Sequence, residues 1–151
     1  MPGRPSLIVS IGAFLLAGCG FGAVSVDKYE LEAGSSQTCA TLIDRLPDVL
    51  GDAVRRDVEP DSLPVAAWGQ PAIVLRCGVH LPGSYRPDAQ LLDINGIGWF
   101  AEEGDGGTFF TATDRETMVE VAIPDDYAPE GFILEELNPV IADVIPERPL
   151  R

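Results

Sequence analysis

Three cysteines, at positions 19, 39 and 77, constrain this chain of 151 residues more than any other feature. The first closes an apolar run. Arg4 and the amino terminus make a weakly positive start, and Leu7-Ile-Val-Ser-Ile-Gly-Ala-Phe-Leu-Leu16 follows. A spanning helix needs about 20 apolar residues, so this shorter run reads as an export signal. An exported chain meets an oxidising compartment, where an even number of remaining cysteines marks a structural bridge. Cys39 and Cys77 are therefore expected to form a disulfide. A zinc site would need further Cys or His ligands, and His80 is the only histidine. A catalytic thiol would need a paired base, and His80 follows Cys77 closely, on or just after the same strand.

The run ends in Leu16-Ala17-Gly18-Cys19, which resembles the lipobox of bacterial lipoprotein precursors. Small side chains at Ala17 and Gly18 admit a peptidase to the backbone, and the Cys19 thiol is the nucleophile that takes up a diacylglyceryl group. The resemblance implies a signal peptide over residues 1–18, cleavage before Cys19, and an acylated (palmitate-bearing) amino terminus on the outer face of the cell membrane. Two or more acyl chains anchor stably where one is marginal. The competing readings are an ordinary secretory signal with Cys19 incidental, and an uncleaved anchor.

Charge then excludes partners. The chain has 24 acidic against 10 basic side chains, a net −14. Removing 18 residues leaves 133, and the loss of Arg4 leaves 9 basic against 24 acidic, a net −15. Nucleic acid requires clustered Lys and Arg, and adsorption to anionic lipid requires a polybasic patch. Neither is present. At 46% apolar the chain is too hydrophobic for a disordered acidic tail.

Residues 19–38 read as a lipid-anchored tether, with a weak strand signal at Val24, Val26, Tyr29 and Leu31. From 39 to 146 the pattern is that of a single domain, and 147–151 form a tail. Leu42, Ile43, Leu46, Leu50 and Val54 fall at helical spacing, which predicts a helix over 37–56 capped by Ser36 and kinked at Pro47. Residues 72–79 read as a buried strand. Asn95-Gly96 between two apolar runs predicts a type I′ hairpin, and strands at 108–113 and 117–123 continue a meander. Ile133, Leu137, Val140, Ile141 and Val144 predict a second amphipathic helix, interrupted at Asn138-Pro139 or restarted there. The expected fold is α+β: an antiparallel meander sheet packed on one face by two helices, with one disulfide.

Several stretches resemble an uncharacterised family of small exported or lipid-anchored proteins of high-GC Gram-positive bacteria. They are Cys39-Ala-Thr-Leu-Ile-Asp-Arg-Leu-Pro47, Trp68-Gly-Gln-Pro-Ala-Ile-Val-Leu-Arg-Cys-Gly78, Ile94-Asn-Gly-Ile-Gly-Trp-Phe100, Val119-Glu-Val-Ala-Ile-Pro124 with Arg115, and Leu137-Asn-Pro-Val-Ile141. The resemblance spans roughly 39–146. It implies export and the paired cysteines, and lends no catalytic residue.

Trp68, Arg76, His80, Trp99 and Arg115 are the candidate binding residues, since Trp and Arg dominate binding hot spots. The plainer reading makes both tryptophans core and pairs Arg76 with an acidic neighbour. Glu102, Glu103 and Asp105 crowd a Gly-rich turn whose spacing departs from a calcium loop. No Gly-x-Ser-x-Gly, P-loop or dinucleotide turn is present, and no cofactor is implied. The leading expectation is an envelope lipoprotein with a non-enzymatic binding or accessory domain, its partner an envelope protein or wall component. The alternative is an enzyme or solute-binding module using an Arg76/His80/Trp99 surface.

Overall fold

A computed structural model of the chain describes Met1 and residues 22–149. Apart from Met1, the segment expected as a signal peptide lies outside the described residues, as does Cys19. In chain order come β1 (Val24–Ser25), α1 (Ser36–Arg45), β2 (Val49–Leu50), β3 (Ala53–Arg56), β4 (Val58–Glu59), β5 (Val65–Trp68), β6 (Ile73–Cys77) and β7 (Leu92–Ile94). Then follow β8 (Ile97–Gly104), β9 (Gly107–Ala112), β10 (Val119–Pro124), a 3-10 turn (Asp125–Tyr127) and α2 (Gly131–Val144).

Eight strands form one antiparallel sheet in the order β2-β3-β5-β6-β10-β9-β8-β7. Strict alternation along β6 and β10 decides the layering: Ile73, Leu75, Cys77, Val119, Val121 and Ile123 are buried, and the residues between them are partly exposed. Register then carries one inner row across the sheet, Cys77 opposite Val119, Val119 opposite Ala112, and Ala112 opposite Trp99. Cys39 and Leu42 of α1 and Ile133, Leu134, Leu137 and Ile141 of α2 pack into the same core. The expected α+β layering, with both helices on one face, holds. The disulfide joins Cys39 to Cys77 across 38 residues and ties the first turns of α1 to the end of β6. Asn95 and Gly96 both take positive φ, 49° and 81°, as a type I′ hairpin requires.

The expected long helix is corrected. It stops at Arg45, because the residue before a proline is driven out of the α region and Leu46 takes ψ 146° ahead of Pro47. Residues 49–56 form the β2–β3 hairpin instead, and Val54, which helical spacing placed on the buried face, is 63% exposed. The C-terminal carbonyls of α1 are met from outside the helix: the Arg55 guanidinium donates to Leu46 O at 3.1 Å and Ile43 O at 3.0 Å. The capping residue is Ser35 rather than Ser36, and its hydroxyl donates back to Glu32 O instead of accepting from the helix. Helix α2 runs through Pro139 without a break. Pro139 and Glu135 are both exposed, so the carbonyl that loses its partner faces water.

Residues 22–35, expected as tether, are docked. β1 pairs parallel with β4, Val26 is buried, and Glu32 N donates to Gly78 O at 2.8 Å. Gly78 makes this approach feasible. It has φ 73°, and a Cβ there would sit 2.5 Å from both Leu31 Cδ1 and Ser35 Oγ. At the other end, Arg115 bridges to Glu147 and Arg148 N donates to Asp114 O, so the start of the expected tail is also held.

Candidate functional site

The five residues singled out by sequence do not converge. Trp68 and Trp99 are fully buried on the inner face, and each indole N–H is satisfied there, by Pro47 O at 2.8 Å and Asn138 Oδ1 at 3.2 Å. They are core, and the expected surface loses them. Arg115 is 6% exposed and donates to Gly96 O and Asp114 Oδ1, which ties the β7–β8 turn to the β9–β10 loop. His80 is exposed in the loop after β6. Of the candidates within strands, only Arg76 remains on an accessible face, opposite to the tryptophans. The Arg76/His80/Trp99 surface is therefore not formed, because period-2 alternation puts Arg76 and the indoles on different sides of the sheet.

What Arg76 does meet is a polar row that sequence reading missed. Across the outer face Val65 lies opposite Arg76, Arg76 opposite Glu120, Glu120 opposite Thr111, and Thr111 opposite Phe100. Arg76 Nη1 donates to Glu120 Oε1 at 3.3 Å. Chain segments from both sides half-cover this seam. Tyr29 arrives from the amino-terminal strap, its hydroxyl donating to Cys77 O at 2.8 Å. From the β6–β7 loop, Ser84 Oγ donates to Glu102 Oε1, and Tyr85 stands edge-on to Phe100 with ring centroids 5.3 Å apart.

Burial sets the electrostatics of the seam. It raises the Glu120 carboxyl above its ordinary value; the Arg76 charge opposes the rise, and Glu102 adds to it. Burial likewise pushes the Tyr29 phenol from 10.0 up to about 12, against the lowering effect of Arg76. Thr111 Oγ1 and Arg76 Nε are buried with no hydrogen-bond partner, so the seam retains unused polar capacity. Chemically the row offers a cation, a carboxylate and a hydroxyl, with Glu102 and the Tyr29 and Ser84 hydroxyls beside it, which is recognition chemistry. Among the described residues no cluster of His, Cys, Asp or Glu could hold a metal ion, and Glu102, Glu103 and Asp105 flank a plain hairpin turn.

The phenol provides a direct check. A folded-state pKa raised above its unfolded value means that Tyr29 contributes its full stability below pH 10, and that this is lost as pH rises through about 12. Subtracting the alkaline absorbance titration of Tyr29→Phe from that of the parent chain is expected to leave one phenol with a midpoint near 12. A midpoint at the ordinary tyrosine value would show that the strap does not cover the seam.

Away from the seam, a concavity of about 590 Å³ lies beside β3, lined by Asp52 to Asp57, Gly69, Gln70 and Tyr127. Here Arg56 donates to Gly69 O, to Gln70 Oε1 at 2.5 Å and to Gly22 O at 2.6 Å.

Fold and seam together define a small, disulfide-stapled α+β domain with a half-covered polar row on the face away from its helices. The sequence model of the family described as "Protein of unknown function (DUF3515)" matches residues 7–150, and the chain belongs to that family. No curated protein and no solved structure matches it.

Proposed function

We propose that the chain is a cell-envelope lipoprotein, exported, acylated at Cys19, and carrying a small non-enzymatic binding or accessory domain on the outer face of the membrane. The observation that carries this reading is the short apolar run closed by Leu16-Ala17-Gly18-Cys19, a few residues ahead of β1. Two further facts support it. The family match starts at residue 7, so it takes in the apolar run and Cys19 together with the domain. The buried Cys39–Cys77 bridge belongs to an oxidising compartment. Among the described residues no helix is long and apolar enough to cross a membrane.

The binding element in this reading is the Arg76–Glu120–Thr111 seam, and its partner is an envelope protein or wall component. Expressed in a bacterial host that processes lipoproteins, the full chain is expected in the membrane fraction with an acylated Cys19 as its first residue. Cys19→Ser is expected to lose both the acyl mass and the membrane association. A mature terminus at any other residue, or a Cys19→Ser chain that still sediments with membranes, would refute the anchoring.

A further inference from the structure

Gly22, three positions after Cys19, is already held against the domain, which bears on how an acylated chain would stand on a bilayer. Gly22 O is held by Arg56 Nη2 at 2.6 Å, Val24 N donates to Asp57 O at 2.8 Å, and β1 pairs with β4. Three residue steps separate Cys19 from Gly22, and an extended chain covers at most about 3.6 Å per residue, so Cys19 lies within about 11 Å of this corner. Building on the proposed acylation of Cys19, we propose that the β2–β3 corner of the domain rests on the phospholipid headgroups, with the β7 edge turned outward. A reach that short keeps this corner, and not the β7 edge, beside the headgroups.

The corner has the composition such a contact needs. Val49 and Val54 lie opposite each other in the hairpin and are 51% and 63% exposed. Arg55 and Arg56 follow directly; residues 45–57 carry three Arg against three Asp, and Glu136 and Asp143 of α2 reach the same corner, bonded to Gly51 N and Arg45. Charge repulsion at an anionic surface acts within a Debye length of about 8–10 Å. The headgroups such a corner meets are therefore zwitterionic, where its carboxylates face no net opposing charge. From β3 to β7 the sheet has six inter-strand steps of about 4.8 Å, so the far edge stands roughly 29 Å out.

The test uses the acylated chain purified from membranes and reconstituted in phosphatidylcholine vesicles that contain a headgroup-nitroxide lipid. A thiol-reactive fluorophore is placed by Val54→Cys or by Leu92→Cys on β7; the native disulfide is fully buried and does not compete. The Val54 label is expected to lose most of its fluorescence to the lipid quencher and the Leu92 label none. A flexible insertion of about ten residues between Phe21 and Gly22 is expected to abolish the difference. Hydrogen exchange on the unsubstituted chain gives a label-free readout: amides of residues 49–57 are expected to exchange more slowly on vesicles than in detergent. The mass of the amino-terminal peptide reports acylation separately. An unacylated Cys19 removes the lipoprotein reading and this inference with it. An acylated chain with equal quenching, stronger quenching at Leu92, or no protection at 49–57 overturns the orientation alone.

Discussion

Reduction of the Cys39–Cys77 bridge is expected to lower the unfolding free energy by about 4 kcal/mol, the chain entropy released when a loop of 38 residues opens. Domains of this size hold roughly 5–15 kcal/mol in total, so the loss is a large fraction of what keeps the fold together. Denaturation scans with and without reductant should differ by about 15 °C, at roughly 3–4 °C per kcal/mol for a domain of this length. Helix α1 explains why the effect is so concentrated. It has ten residues and no side-chain cap at its start, and helices shorter than about 12 residues are marginal by themselves. The disulfide and the burial of Leu42 and Leu46 hold it in place. Both sulfurs are inaccessible, so reduction is expected to be slow under native conditions and fast in denaturant. Identical midpoints with and without reductant would mean that the bridge adds nothing to the folded state.

How far the sequence discloses this fold depends on the length of each element. The five residues of β6 and six of β10 are long enough to show period 2, and Asn95-Gly96 specifies its own turn, so the centre of the sheet was legible. In β2 and β3 two and four residues are too few to show any period, and Leu50 and Val54 fell at helical spacing by accident. All four residues of β5 are buried, which leaves no alternation to read. Arg55 looked like one charge on a solvated face; its role in satisfying the end of α1 depends on a hairpin the sequence did not announce.

The site was less legible than the fold, for a physical reason. In Val119-Glu-Val-Ala-Ile-Pro124, Glu120 reads as an ordinary outward-facing polar residue. Register makes it part of a seam, by setting it between Arg76 and Thr111, 44 and 9 positions away in sequence. The cover then comes from Tyr29 and from the Ser84-Tyr85 loop, neither of which carries a local signal for that contact. The tryptophans misled in the opposite direction. Large aromatics mark hot spots and cores alike, and only the face of the sheet they occupy tells which.

Asn138 is expected to be the most sensitive polar residue of the core. It is 2% exposed, accepts from Trp99 Nε1 at 3.2 Å and donates through Nδ2 to Ile94 O. One side chain thus fastens the middle of α2 to both strands of the β7–β8 hairpin. It is also the residue before Pro139, where the α conformation is disfavoured, so its anchored side chain offsets a local preference to leave the helix. Asn138→Ala should favour an isolated helix by about 0.5 kcal/mol through propensity. Against that, it strands the Trp99 N–H, at about 1–3 kcal/mol, and removes one of two bonds to the Ile94 carbonyl, which keeps Ile97 N as donor across the hairpin, for a net loss of roughly 2 kcal/mol. Trp99→Phe removes the same indole hydrogen bond from the other side. In a double-mutant cycle read by urea unfolding, the two substitutions should therefore be coupled by about 1 kcal/mol or more. Additivity to within about 0.5 kcal/mol would show that Asn138 and Trp99 act independently. A stabilised Asn138→Ala chain would mean that helix propensity, and not this clamp, governs the middle of α2.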